Sequence, residues 1–378
     1  MSRLPAKFIY TYLSYSRQSS SAGFTLTEVL ISAVIAVIAI LGSLTIATQM
    51  VEADRKDFGR TEVQRDMSQA LDYMSTELRE AIYVYEGECL NGPISATSCL
   101  RRNAASLPSL AATLGLPLTG ATAVTPVLAF WKLEQVPYVD NPSTAAQNLP
   151  TANCSTLTPM AKIGECTALK LARNAYTLVV YAVRQNSQGP WRGPTQIVRY
   201  QLRQYNSDSL FTLALNFDIL DSTGRDISPP TAPFVNWICA TGGAPCAAPS
   251  PNVLVDFVDN DAVVPAINTA NQPAGFCPPN FIDTSAGAVD CTTAAASPYS
   301  ISPLKPLANT GFYAFIRRPA LDTNKGNDSK DFRQDVVVYL RGNAAQRAGA
   351  NAGNRYAQNL IPLQAQTQVR SAWERTPP

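Results

Sequence analysis

The sequence predicts an α+β fold: one long N-terminal α-helix packed on an antiparallel β-sheet with long, disulfide-stapled loops. Three observations carry that expectation. No proline interrupts residues 24–92, and within them Val29–Ala47 is a nineteen-residue apolar run without a charge. Beyond residue 125, runs rich in β-branched and aromatic residues are separated by turn-rich connections, as in antiparallel strands. The eight cysteines of the 378 residues all follow the apolar run, in stretches rich in Pro, Ala, Ser and Thr, a pattern that reads as disulfides in an exported domain.

The helix divides by chemistry. Nineteen residues at 1.5 Å each span roughly 28 Å, close to the hydrocarbon core of a bilayer. Arg3, Lys7 and Arg17 precede it and no acid accompanies them, so the N-terminus is expected in the cytoplasm and the bulk of the chain outside. The segment is expected to act as a membrane and assembly helix over 24–50. Ala39, Ser43 and Ala47, like Ser32 and Ala36, give the small-residue spacing that lets helix backbones approach. After the mixed charges of Glu52–Asp57, Met67, Leu71, Met74, Leu78 and Ile82 recur at three- and four-residue steps. An amphipathic continuation over 51–86 follows, helical to about Ile82. Asp66, Asp72, Glu77, Arg79 and Glu80 are assigned to its polar face.

The mouth of the apolar run holds the candidate site. Glu28 lies five residues past Gly23, and a carboxylate beside a lipid-bound segment is by default functional, with a partner to be named. The nearest candidate is the α-amine that a cut after Gly23 creates on Phe24. Thr25-Leu26-Thr27-Glu28 also fits a capping box, and the two readings are compatible. A secretory signal would instead place small residues at a cut after the run, and Ala47-Thr48-Gln49 fits that poorly.

Gly23, Phe24, Glu28 and the apolar run in that order resemble the prepilin signal of type IV pilins and type II secretion pseudopilins. The resemblance implies a pilin-like fold, cleavage after Gly23 by prepilin peptidase, and methylation of the Phe24 amine. It further implies that Glu28 pairs with the Phe24 amine of a neighbouring subunit. The implied partners are the peptidase, other pilin or pseudopilin subunits through the N-terminal helix, and an inner-membrane assembly platform. Residues 1–23 would be a removed leader, leaving 355 residues and taking the formal charge from +2 to −1. Arg65–Ala81 is similar to the early helix of larger minor pilins and J-type pseudopilins, and the whole also resembles cyanobacterial polysaccharide-secretion pseudopilins. The function so implied is a low-copy subunit that initiates, caps or decorates a pilus or pseudopilus, in the inner membrane and then in the fibre. The competing reading is a membrane-tethered exported binding protein or adhesin that enters no fibre.

Composition narrows the alternatives. The chain has no histidine, which removes the commonest general base and transition-metal ligand. No catalytic residue, cofactor or metal is expected, and no enzymatic activity. The near-neutral charge makes no case for a nucleic-acid partner. Arg101-Arg102, Arg199 with Arg203, and Arg317-Arg318 read as solvated spots. Asp322–Asp331 superficially resembles a calcium loop, and Asp256, Asp259 and Asp261 form another acidic cluster. In the first, Gly326 sits where an oxygen ligand belongs and no Glu closes the loop, so solvated turns are expected.

Beyond residue 87 an exported β-rich domain is expected to 342, then a partly ordered tail over 343–378. The strand candidates are Val127–Val136, Tyr176–Arg184, Gln196–Tyr205, Leu210–Phe217, Val253–Val258, Gly311–Ile316 and Asp335–Leu340. The second to fourth, with short turns between them, predict an antiparallel meander. Segments 88–125, 140–168, 221–251 and 262–309 read as loops. Successive cysteines fall within these, predicting local pairs Cys89–Cys99, Cys154–Cys166, Cys239–Cys246 and Cys277–Cys291, with buried free thiols as the alternative.

Overall fold

A computed structural model describes residues 23–91, 110–120, 123–136, 154–156, 160–185, 190–193, 195–205, 217–218, 238–239, 246, 249–259, 299–303, 311–317, 320–322, 328–331, 334–347 and 360–369. The chain forms two compact units, Met1–Arg55 and Lys56–Pro378. Helix α1 (Leu26–Arg79) runs unbroken for 54 residues. In the first unit its apolar side chains are exposed all round.

The helix ends three residues earlier than its periodicity suggests. Glu80 N–H closes a tight last turn on the Glu77 carbonyl, and Ala81–Val84 leaves as strand β1. Ile82 belongs to that strand and not to the helical stripe. Ala-Ile-Tyr-Val is a β-favouring run, and pairing to β2 (Val124–Gln135) decides between the two periods.

The second unit holds two antiparallel sheets. In the first, β1, β2, β3 (Asn174–Gln185), β4 (Thr195–Arg203) and β7 (Asn252–Val255) lie in that order. In the second the order is β13 (Leu360–Gln368), β12 (Asp335–Asn343), β9 (Phe312–Arg317) and β8 (Tyr299–Ser302). Short hairpin pairs join β5 (Phe217–Asp218) to β6 (Ile238–Cys239) and β10 (Ala320–Asp322) to β11 (Asp328–Asp331). The described helices α2 (Gly87–Asn91), α3 (Leu110–Thr113), α4 (Met160–Ala172) and α5 (Ala344–Arg347) complete the order.

Two expectations change here, and the tail expected to be partly ordered holds a strand. The meander runs β1-β2-β3-β4, and β7 rather than 210–217 lies beside β4; Phe217 pairs instead with Cys239, while 210–216 lie outside the described residues. Within 140–168, read as loop, α4 begins at Met160. The tail contains β13, paired with all nine residues of β12.

Alternation places the core. Val179, Tyr181 and Val183 of β3 face α1, while Leu178, Val180 and Ala182 face the opposite side, the period of two expected of a strand. On the α1 side, Val63, Met67, Ala70, Leu71, Met74 and Leu78 join residues of both sheets in one core. On the other side Trp131, Tyr85, Phe217 and Leu110 form a second core, in which Trp131 Nε1 donates to Tyr85 Oη at 2.9 Å.

Strand β12 bridges the first sheet from edge to edge. Before its start, the Gln334 side chain pairs with the β1 edge: Oε1 accepts Val84 N–H and Nε2 donates to Val84 C=O, both at 2.8 Å. At its end Gly342 bridges to Val258, just past β7. Five strands are about 19 Å wide and eight residues of strand about 26 Å long, so β12 suffices to cross. Gly342 is needed where α1 passes: a Cβ there would lie 2.5 Å from Val63 Cγ1 and 3.0 Å from Met67 Cγ.

Candidate functional site

Gly23, Phe24 and Glu28 are all exposed at the start of the first unit. The helix opens on Thr25, whose Oγ1 accepts Glu28 N–H at 3.4 Å and whose carbonyl accepts it at 3.0 Å. Threonine thus caps one of the orphan donors of the first turn. Ser32, Ser43 and Thr45 fold their hydroxyls back onto carbonyls three or four residues earlier. Their polar groups are satisfied within the helix, so its surface over this stretch is effectively apolar. By length and composition this helix is able to cross a membrane.

In the second unit the structure brings together Glu77 and Arg199, which the sequence reading places in solvent, with Lys132 and Tyr181, which it does not single out. Glu77 is only 6% exposed and lies in the apolar stripe, on the face of Met67, Ala70 and Met74, not on the polar face to which its charge assigns it. Its carboxylate receives four donors from three strands. Arg199 of β4 forks onto it, with Nη2 to Oε1 at 2.7 Å and Nε to Oε2 at 2.9 Å. Lys132 of β2 donates to Oε1 at 2.7 Å, and the Tyr181 hydroxyl of β3 donates to Oε2. All four lone-pair positions of the carboxylate are used.

Arg199, read from the sequence as a solvated spot, is 8% exposed. Its remaining arm donates to Gln201 Oε1 at 2.7 Å, and Gln201 donates onward to Glu134 at 3.0 Å. Arg203 forks onto the same Glu134 at 2.6 and 3.0 Å, and Thr177 adds a bond of 2.8 Å. A connected polar layer therefore continues the apolar core along the same face of β2, β3 and β4.

The electrostatics follow from this geometry. Burial pushes the Glu77 carboxyl up, but the bonds and charge of Arg199, with Lys132 and Tyr181, outweigh it and hold the group below the ordinary glutamate range. Burial lowers Arg199, and Glu77 more than reverses that. Tyr181 is raised well above the usual phenol range by burial and by the Glu77 charge. At neutral pH the carboxylate and guanidinium are charged and the phenol is a donor.

A second charged clamp holds the earlier turns of this part of α1. Arg347 of α5 reaches Glu62 and Asp66, each at 2.5 Å, and its guanidinium lies 5.3 Å over the Phe257 ring. The acidic cluster is likewise used internally. Asp256 Oδ2 accepts the backbone N–H groups of Arg192 and Gly193 at 3.1 and 3.0 Å. Asp259 pairs with Arg341 and accepts from Asn343 Nδ2 at 3.1 Å. Asp261 lies outside the described residues, as do Arg101, Arg102, Arg318 and residues 323–327. Arg317 faces Asp335 at 3.7 Å.

Cys154 and Cys166 are bridged, with Cα atoms 5.7 Å apart, tying a short 3-10 turn (Cys154–Thr156) to α4. Cys89 and Cys246 are also disulfide-bonded and lie in the second core. The expected pairs Cys89–Cys99, Cys239–Cys246 and Cys277–Cys291 each include a side chain outside the described residues. No family model, curated protein or solved structure matches the chain.

Proposed function

We propose that this chain is a minor pilin or pseudopilin, a structural subunit whose Gly23–Phe24 bond is cut by a prepilin peptidase. It would join a type IV pilus or a type II secretion-like pseudopilus through α1. The supporting observation is the helix itself: 54 residues without a break, exposed and apolar at first, then built into a sheet core. In this reading Glu28 pairs with the Phe24 amine of the next subunit, and the sheet unit is carried on the outside of the fibre.

The test is processing. With a prepilin peptidase co-expressed, N-terminal sequencing of the membrane-bound product should begin at methylated Phe24. An intact leader, or a cut beyond Ala47, refutes the proposal and favours a tethered adhesin. Glu28→Ala should leave insertion and cleavage intact and impair methylation or fibre incorporation. Normal incorporation of that variant would sink the charge pair.

A further inference from the structure

We propose that the Glu77 cluster is an axial register lock that selects one position of α1 along the five-stranded sheet. The apolar stripe alone does not choose so sharply. Met67, Ala70, Leu71, Met74 and Leu78 lie on an equally apolar bed of Val127, Leu128, Phe130, Val179 and Ile197. A slide by one turn moves the helix about 5 Å and sets another apolar residue over the same bed. Glu77 has no such latitude. Displaced by one turn, its carboxylate would leave the Arg199 fork, the Lys132 ammonium and the Tyr181 hydroxyl together, with Arg199 still buried and its countercharge gone.

The arrangement is directional. Lys132, Tyr181 and Arg199 sit on three neighbouring strands, so the carboxylate is held across the sheet as well as along it. The fork of Arg199 adds a fixed plane, since two parallel N–H donors meet one carboxylate in a single orientation. A helix pulled along its axis would hand that force to β2, β3 and β4 at this point. Such a lock contributes uniqueness rather than stability, a role for which buried polar groups are best attested where they set register.

The test separates these two contributions. In the full chain in detergent micelles, nitroxides carried on unnatural amino acids at the exposed positions Gln69 and Gln135 report the helix-to-sheet distance by electron–electron dipolar spectroscopy. The wild-type cluster should give one narrow distance. Replacing it with apolar residues of similar size (Glu77→Met, Lys132→Met, Tyr181→Phe, Arg199→Met) in a chain that also carries Arg347→Met, so that the second clamp no longer holds Glu62 and Asp66, should keep the denaturation midpoint of the Arg347→Met chain yet add a second distance displaced by about 5 Å. A single narrow distance in that variant overturns the lock. So does a variant that fails to fold, because the cluster would then be holding the fold rather than choosing among registers. The measurement needs neither processing nor a fibre, so its failure leaves the proposed function standing, and failure of the processing test leaves the lock standing.

Discussion

Glu77→Gln isolates the charge at the centre of the buried cluster. The amide is nearly isosteric with the carboxylate, so packing is kept. Its oxygen still accepts from Lys132 Nζ and Arg199 Nη2, both 2.7 Å away in the wild type. Its nitrogen, however, now faces Arg199 Nε, where a donor meets a donor. The larger effect is that two cations lose their buried countercharge. Removing one partner from a buried pair costs about 3–5 kcal/mol, roughly a fifth or more of the stability of an ordinary domain. Urea unfolding at pH 7 should show that gap between wild type and variant. The pH dependence gives an independent signature. Glu77 titrates below its ordinary value of 4.5 in the folded protein, so its contribution is fully present above about pH 4.5 and is lost as pH falls through the depressed folded value. The gap should therefore be constant from pH 7 to about pH 5 and narrow below that. A gap under about 1 kcal/mol at pH 7, or one unchanged at pH 3, would refute the reasoning.

Two further substitutions probe how the sheets meet. Gln334→Ala removes the side chain that pairs with both backbone groups of Val84 and leaves that buried donor and acceptor orphaned, at about 1–3 kcal/mol each. Stability should fall by about 2–6 kcal/mol and amide exchange at Val84 should accelerate; unchanged exchange counts against the pairing. Gly342→Ala forces a methyl to within 2.5 Å of Val63 Cγ1 and should cost about 1–3 kcal/mol by overpacking. Val63→Ala opens the space that this methyl needs, so the double variant should be more stable than the two single losses summed, by about 1 kcal/mol or more. Strict additivity in a double-mutant cycle would place the two residues out of contact.

The strands legible in the sequence were those whose own residues prefer the extended chain. Tyr176–Arg184 and Asp335–Leu340 are dense in β-branched and aromatic residues, and β3 and β12 contain them whole. Strand β13 has no such signal. It carries Pro362 and three glutamines, and it is extended because β12 offers it nine partners, a tertiary cause that no local window contains. Helix α4 was hidden differently. Its Ala, Lys and Leu favour a helix, but the proline- and threonine-rich residues before it set the local reading.

Glu77 was misassigned for a reason that is instructive about charges. It continues the spacing of Val63, Met67, Ala70 and Met74, so periodicity alone placed it inward. The rule that carboxylates face water overrode that signal. Its partners lie 55, 104 and 122 residues further along the chain, and only folding brings their compensation into view. A charged residue at a stripe position is thus a prompt to look for distant cations, such as the Arg199 and Arg203 pair on one strand face.

The two parts of α1 answer to different solvents. From Lys56 onward its buried residues have a sheet core to meet. Between Leu26 and Val51, fourteen large apolar residues remain exposed. Burying one such side chain is worth about 1.5–3 kcal/mol, so leaving all fourteen in water forgoes roughly 20–40 kcal/mol. That exceeds the net stability of a whole domain, about 5–15 kcal/mol. In the proposed function, lipid and then other helices with equally apolar surfaces would cover this segment on every side. The same surface is suited to both, since small residues at Ala39, Ser43 and Ala47 admit close neighbours where lipid would otherwise lie. Transfer from one apolar environment to the other then costs little at these positions. In the proposed function the one group for which it does matter is Glu28, so a specific charge partner there, rather than added apolar area, would be the contact on which assembly turns.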